Sequence, residues 1–478
     1  MPCHIGWKHD KSKWQFVAVP QYRYFLLSLS ITMNTEQALA LIEPQVANMR
    51  LFDFHTHLVG GKLSARGLHD ILLYHMGVSD LYPAGCPSGA RLTQYPGWAD
   101  KEEAHFRLKE AIPFFPRVVN TGIAWGNRII LADLYDWHQP VTMENWERLD
   151  AMIRERADDR AWHREIMKRA LIERFVTETN RRGEGLDDDI LDYSVEWAFF
   201  TRAQWGEFDT ALYELEKTWG EPASGPSPIG MDNRPKTKKT IQKAADVYDA
   251  VHWFMNQFPM KQTVSYATHI SSDLDYTLVS EAEFEAALKR REQAGEKERS
   301  IYASYVNEVF LTEYAKKFGP SLAFQYTVCA DPLPFETGSR ISQRTLGQIA
   351  DMMARHPKIR FTVLESSAHA NQSFCTFCRE LQNVALCGVW WHNFFPAIMP
   401  RIMAERLDMV SLNKQIGFFS DAYCVEWSYA KAVMIKKVLS RVLAEKVELG
   451  QYDVELALYI AKTILYDSSK AWNDNTEM

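Results

Sequence analysis

Short apolar runs alternate with amphipathic stretches along much of this chain. Residues 50–57, 321–329, 359–365, 384–391 and 416–421 are short, mostly apolar runs, as expected of buried parallel strands. Residues 372–381 and 396–404 carry helical periodicity between the later runs, and 342–354 precedes them. That alternation predicts βαβ units around a parallel sheet. Upstream, residues 34–47 read as a helix capped by Asn34 or Thr35, and residues 425–472 read as almost continuous helix that would close the fold.

The middle differs. From about 136 to 250 the chain is charged and helical with few strand candidates, and it reads as a helical insertion. Ile166, Met167, Ala170 and Leu171 share one helical face while Asp158, Glu165, Lys168 and Arg169 share the other. Residues 219–239 contain four prolines and three glycines, which predicts a loop. Residues 1–32 lack any period. Their one apolar stretch, 25–33, is too short for a membrane span, which needs about 20 residues, so they read as an upstream extension with the natural start near Met33. The expected architecture is α/β: a (β/α)8 TIM barrel over 33–478 with a large helical insertion and extra C-terminal helices.

Composition narrows the function. The chain has 478 residues, 46% hydrophobic and 24% charged, enough for a large core. Lys and Arg number 54 against 61 Asp and Glu, with no basic stripe, which argues against a nucleic-acid partner. Seven cysteines are odd in number and sparse, fitting a reduced, cytoplasmic compartment. Cys375 and Cys378 form a CxxC pair, but no second pair follows at zinc spacing, so two packed thiols are expected.

The sharpest chemical feature is Asp53-Phe54-His55-Thr56-His57 at the end of the first apolar run. Alternation along a strand aims Asp53, His55 and His57 the same way, with the histidine Cα atoms about 7 Å apart. Two convergent imidazoles suit a divalent ion: zinc first, with manganese, nickel or iron also compatible. A bare His-x-His pair is weak, but its place at a strand's carboxyl end, where barrels carry their sites, strengthens it. Asp421 ends the last run, and barrel closure would bring it beside His55 and His57. It could then ligate the ion and shuttle a proton.

These residues, with Gln325-Tyr326, Gly388-Val389-Trp390-Trp391, Ser420-Asp421 and the tail 464–472, occur in an order that resembles the uronate (glucuronate) isomerase family of amidohydrolase-like barrels over roughly residues 34–474. The resemblance implies an aldose–ketose isomerase acting on hexuronates, a small-molecule sugar acid partner, and one divalent ion on His55, His57 and Asp421. It gives Asp421 the proton exchange and places Trp390 and Trp391 at the sugar pocket wall.

The chain also departs from the family. Thr327 stands where the family has a strand histidine, Asp331 or Pro332 where an arginine follows, and Tyr423 where an arginine follows the eighth-strand aspartate. A sugar carboxylate would therefore need other cations, for which Arg91, Arg128, Arg234 and Arg340 are candidates. His75 falls near a family histidine, His392 could replace the missing one, and His369 follows the sixth strand. The expected site thus comprises Asp421, His75 and His392 as catalytic groups, with Trp390, Trp391, Arg91, Arg128, His369, Tyr423 and Thr327 around the substrate. A metal-dependent hydrolase or lactonase on the same barrel, and a non-catalytic sugar-acid binder, are the alternatives. No membrane partner is expected, and tryptophans in the helical segment would suit a homo-oligomer.

Overall fold

The computed structural model describes residues 33–87, 100–196, 210–219, 239–256, 262–270, 272, 275–329, 340–389 and 391–476. The upstream extension and most of the proline-rich loop lie outside these residues. Eight strands run in chain order through one parallel sheet: β1 (Leu51–Asp53), β2 (Ile172–Glu178), β3 (Leu191–Glu196), β4 (Thr263–His269), β5 (Ala323–Val328), β6 (Arg360–Glu365), β7 (Val384–Cys387) and β8 (Gln415–Ile416). Helices fill most crossovers, as the predicted βαβ pattern requires.

β1, β5, β6 and β7 fall within the predicted runs, trimmed at their ends, and β8 overlaps the last run only at Ile416. Three strands, β2, β3 and β4, are new. β2 and β3 lie inside 136–250, so that segment is not an insertion. The helical excursion instead separates β1 from β2 and carries helices Leu68–Leu72, His75–Leu81, Lys101–Ala111, Gly122–Tyr135, Trp146–Arg156 and Arg160–Ala170. Charge hid β2 in the sequence, because Glu173, Arg174 and Glu178 break up its apolar run. Each charge is matched in the fold: Glu173 with Arg50 at 2.7 Å, Arg174 with Asp192 of β3, and Glu178 with Arg181 at 2.7 Å.

The sheet curls into a barrel whose two edges are joined by the segments that follow β1 and β8. Asp421 N–H donates to His55 O and His57 N–H to Ala422 O, both at 2.9 Å, which joins the chain after β8 to the extension of β1. At the other end of the seam, Gly417 N–H donates to Ile464 O at 2.6 Å. A Cβ at Gly417 would stand 2.5 Å from that oxygen, so only glycine allows the approach.

Residue alternation divides the core into layers. Phe324, Tyr326, Phe361 and Val363 face outward against helix Glu296–Lys317. Their neighbours point inward, and strand register lines up Ala267, Gln325, Thr362 and Ala385 in one layer. Phe52, Phe54, Val176, Leu364, Ala385, Cys387, Ile416 and Phe419 fill the interior. Helix Val425–Glu448 anchors the opposite wall. Its Lys436 donates to Ala47 O and Ala170 O, the last residues of two helices, where the helix dipole favours a cation. Among the described residues no helix is long and apolar enough to cross a membrane.

Candidate metal centre

Barrel closure brings His55, His57 and Asp421 together at the carboxyl ends of the strands. One ligand atom from each lies within 4.8 Å of the others. His57 Nε2 is 3.1 Å and His55 Nε2 3.7 Å from Asp421 Oδ1; the longer distance exceeds a hydrogen bond and leaves the two groups facing across a gap. The rings stand nearly perpendicular, with centroids 5.0 Å apart. Two imidazoles and a carboxylate, almost wholly removed from solvent, form a donor set that fits zinc or a similar divalent ion. Gln325 stands beside His55, and its Oε1 has no hydrogen-bond partner among the described residues.

Burial makes the electrostatics unequal. It lowers His55 to about 4, helped by the adjacent His57. It would also press His57 down, but the Glu178 carboxylate, followed by Asp421, outweighs it and raises His57 to about 10. The two histidines are therefore unequal: an anion, Glu178, is bonded to His57, whereas the side chain beside His55, Gln325, is uncharged.

Asp421 is fixed through its backbone. Its φ of 53° is left-handed, a conformation that costs about 1–3 kcal/mol and persists only where the surroundings impose it. The Asp421 N–H bond to His55 O and the Tyr74 hydroxyl, donating to Asp421 O at 2.8 Å, supply that constraint. Tyr74 in turn accepts from the buried Lys431 Nζ at 2.8 Å. Cys329 and Trp391, after β5 and β7, are also left-handed.

Asp53 does not join the ligands as alternation along β1 suggested. The strand ends at Asp53, its pairing with β2 shifts register, and the following residues leave the pleat. Asp53 Oδ1 accepts the Ser420 N–H at 2.8 Å; burial, partly countered by Ser420, raises its pKa to about 7.

The other expected residues divide into three groups. Tyr423 stacks on His57, with centroids 4.8 Å apart and planes 17° apart, while Trp391 packs at the rim of the interior cluster and Thr327 is buried between His269 and Leu364. Arg128 and His369 are both exposed, and the Arg128 guanidinium donates to Val119 O at 2.9 Å. Arg91, Trp390, Arg234, Asp331 and Pro332 lie outside the described residues, as do the side chains of His75 and His392. Cys375 and Cys378 are buried free thiols, raised by burial to about 11 and about 12.

Sequence reasoning missed Glu178, Arg181, Tyr74 and Lys431. The first two sit at the end of the unrecognised β2. Lys431 had a faint signal, a lysine on an apolar face of the last long helix.

The fold is a (β/α)8 barrel, and the residues that could hold a metal ion follow its first and eighth strands. Solved structures of the same fold include a uronate isomerase from Thermotoga maritima (15% identity, TM-score 0.69, covering 91% of this chain and 97% of that one). Glucuronate isomerase from Caulobacter crescentus is similar at 13% identity and TM-score 0.68, covering 93% of this chain and 95% of its own. A Lactobacillus casei protein provisionally assigned as a metal-dependent hydrolase aligns at 13% identity and TM-score 0.51, covering 91% and 97%. No protein-family model matches the sequence, and no curated protein matches it. The chain thus shares the barrel of the uronate isomerases across nearly its whole described length.

Proposed function

We propose that the protein is a metal-assisted aldose–ketose isomerase of hexuronates, interconverting glucuronate with fructuronate and galacturonate with tagaturonate. The observation that carries this reading is the convergence of His55, His57 and Asp421 at the carboxyl face of a barrel shared with uronate isomerases. An ion on these three residues would polarise a carbonyl and make a hydroxyl more acidic.

The chain's own groups account for the rest. Isomerisation moves a proton between adjacent carbons, and Asp421 is the carboxylate held by its backbone against the ligand pair, placed to accept and return it. Gln325 Oε1 offers an acceptor to a substrate hydroxyl. Asp421 and Glu178 bring two negative charges and Arg181 returns one positive; a divalent ion then leaves this group with a net positive charge, the sign that attracts a sugar carboxylate.

The test is to load the protein in turn with zinc, manganese, nickel and iron and to incubate it with glucuronate or galacturonate. Ketose should form, and Asp421→Asn should cut its rate by 100-fold or more, within the range typical of a proton-transfer group. Absence of ketose with every metal would refute the reading. A metal-dependent hydrolase or lactonase is the second reading, favoured by the Lactobacillus casei likeness; acid release from sugar lactones without ketose formation would establish it.

A further inference from the structure

Resting on that reading of the site as a metal centre, we propose that Glu178, held by Arg181, is the positioning carboxylate of the ligand His57. Glu178 is the last residue of β2 and is buried. Its Oε1 pairs with His57 Nδ1, and its Oε2 accepts from Arg181 Nε at 2.7 Å. Arg181 also donates to the His57 carbonyl at 3.3 Å, so one guanidinium spans both the carboxylate and the backbone of the histidine it orients.

The ring is held on a second side. Tyr423 stacks on the imidazole, and the Arg181 guanidinium lies 5.7 Å from the Tyr423 ring centre. With Nδ1 engaged by Glu178 and one face covered by Tyr423, the remaining nitrogen, Nε2, points to Asp421. A proton on Nδ1 leaves the Nε2 lone pair for an ion, and an anionic partner makes that lone pair a stronger donor. Glu178 is not among the residues whose ligand atoms converge, so it acts through His57 and not as a ligand.

Tyr423 gains a role from this arrangement. The resemblance marks it as a lost arginine, yet here its ring stacks on His57 and lies 5.7 Å from the Arg181 guanidinium. Arg181 is matched to Glu178, so its charge serves the ligand and not the substrate.

Cobalt binding to the metal-free full-length chain tests this, read by visible absorption with zinc competition on wild type, Glu178→Gln, Arg181→Gln and His55→Ala. Glu178→Gln keeps the shape and an oxygen acceptor but removes the charge. It should weaken affinity by about 10-fold or more and shift the cobalt band. Arg181→Gln should weaken binding by a smaller factor, and His55→Ala should abolish the band. Wild-type affinity and an unaltered band in Glu178→Gln would overturn the positioning role while leaving the metal centre standing. If Glu178→Gln fails to fold, unchanged affinity in Arg181→Gln overturns it instead. A wild-type protein without saturable cobalt binding would overturn both.

Discussion

At the scale of single residues, the centre depends on packing several contacts away. Asp421 is held by Tyr74, Tyr74 stacks on Trp427 with centroids 4.5 Å apart, and Trp427 fits against Gly126. A Cβ at Gly126 would stand 2.5 Å from the Trp427 ring. Gly126→Ala should therefore destabilise the protein by about 1–3 kcal/mol in urea unfolding, the usual cost of overpacking, and should weaken metal binding through Tyr74. Unchanged stability would show that the indole has room to move. The same scale explains what could be read beforehand. His55 and His57 were legible because two histidines at a strand end have no apolar role, and Asp421 because closure places the last strand beside the first. Glu178 and Arg181 were not, since nothing local separates them from ordinary surface charges until β2 is known to be a strand.

Among the elements, legibility followed how apolar each strand was. β5, β6 and β7 could be read from sequence because their outward residues, such as Phe324, Phe361 and Val384, pack under helices. β2 and β3 are joined near their amino ends by the ion pair of Arg174 and Asp192, which interrupts the apolar pattern, and β8 is only two residues long. Ion pairs also tie helices together. Glu308, on Glu296–Lys317, accepts from Arg355 at 2.9 Å and His356 at 3.0 Å, at the end of helix Gln343–Arg355. Partial burial raises its pKa, but those two partners prevail and lower it from 4.5 to about 2. The folded state thus binds this proton less readily than the unfolded chain. Its stabilisation is complete above about pH 4.5 and is lost as pH falls towards 2. Glu308→Gln should lower the urea midpoint at pH 6 and make the acid decline shallower, with the two curves converging near pH 2; parallel curves would contradict the assignment.

For the whole molecule, the tail is part of the barrel. Residues 463–467 pack where β8 meets β1: Ile464 O takes the Gly417 N–H, and Tyr466 donates to Glu173 of β2 at 2.6 Å. At the opposite end of that seam, the backbone bonds that close the barrel also set the ligands side by side, so fold closure and site assembly are one event. The account stands on an ion occupying that junction, and an anomalous-difference map from crystals soaked in zinc tests it most directly. The predicted result is one strong peak bounded by His55 Nε2, His57 Nε2 and the Asp421 carboxylate, lost in His55→Ala. A map with no peak there, or with zinc bound only elsewhere, would contradict it.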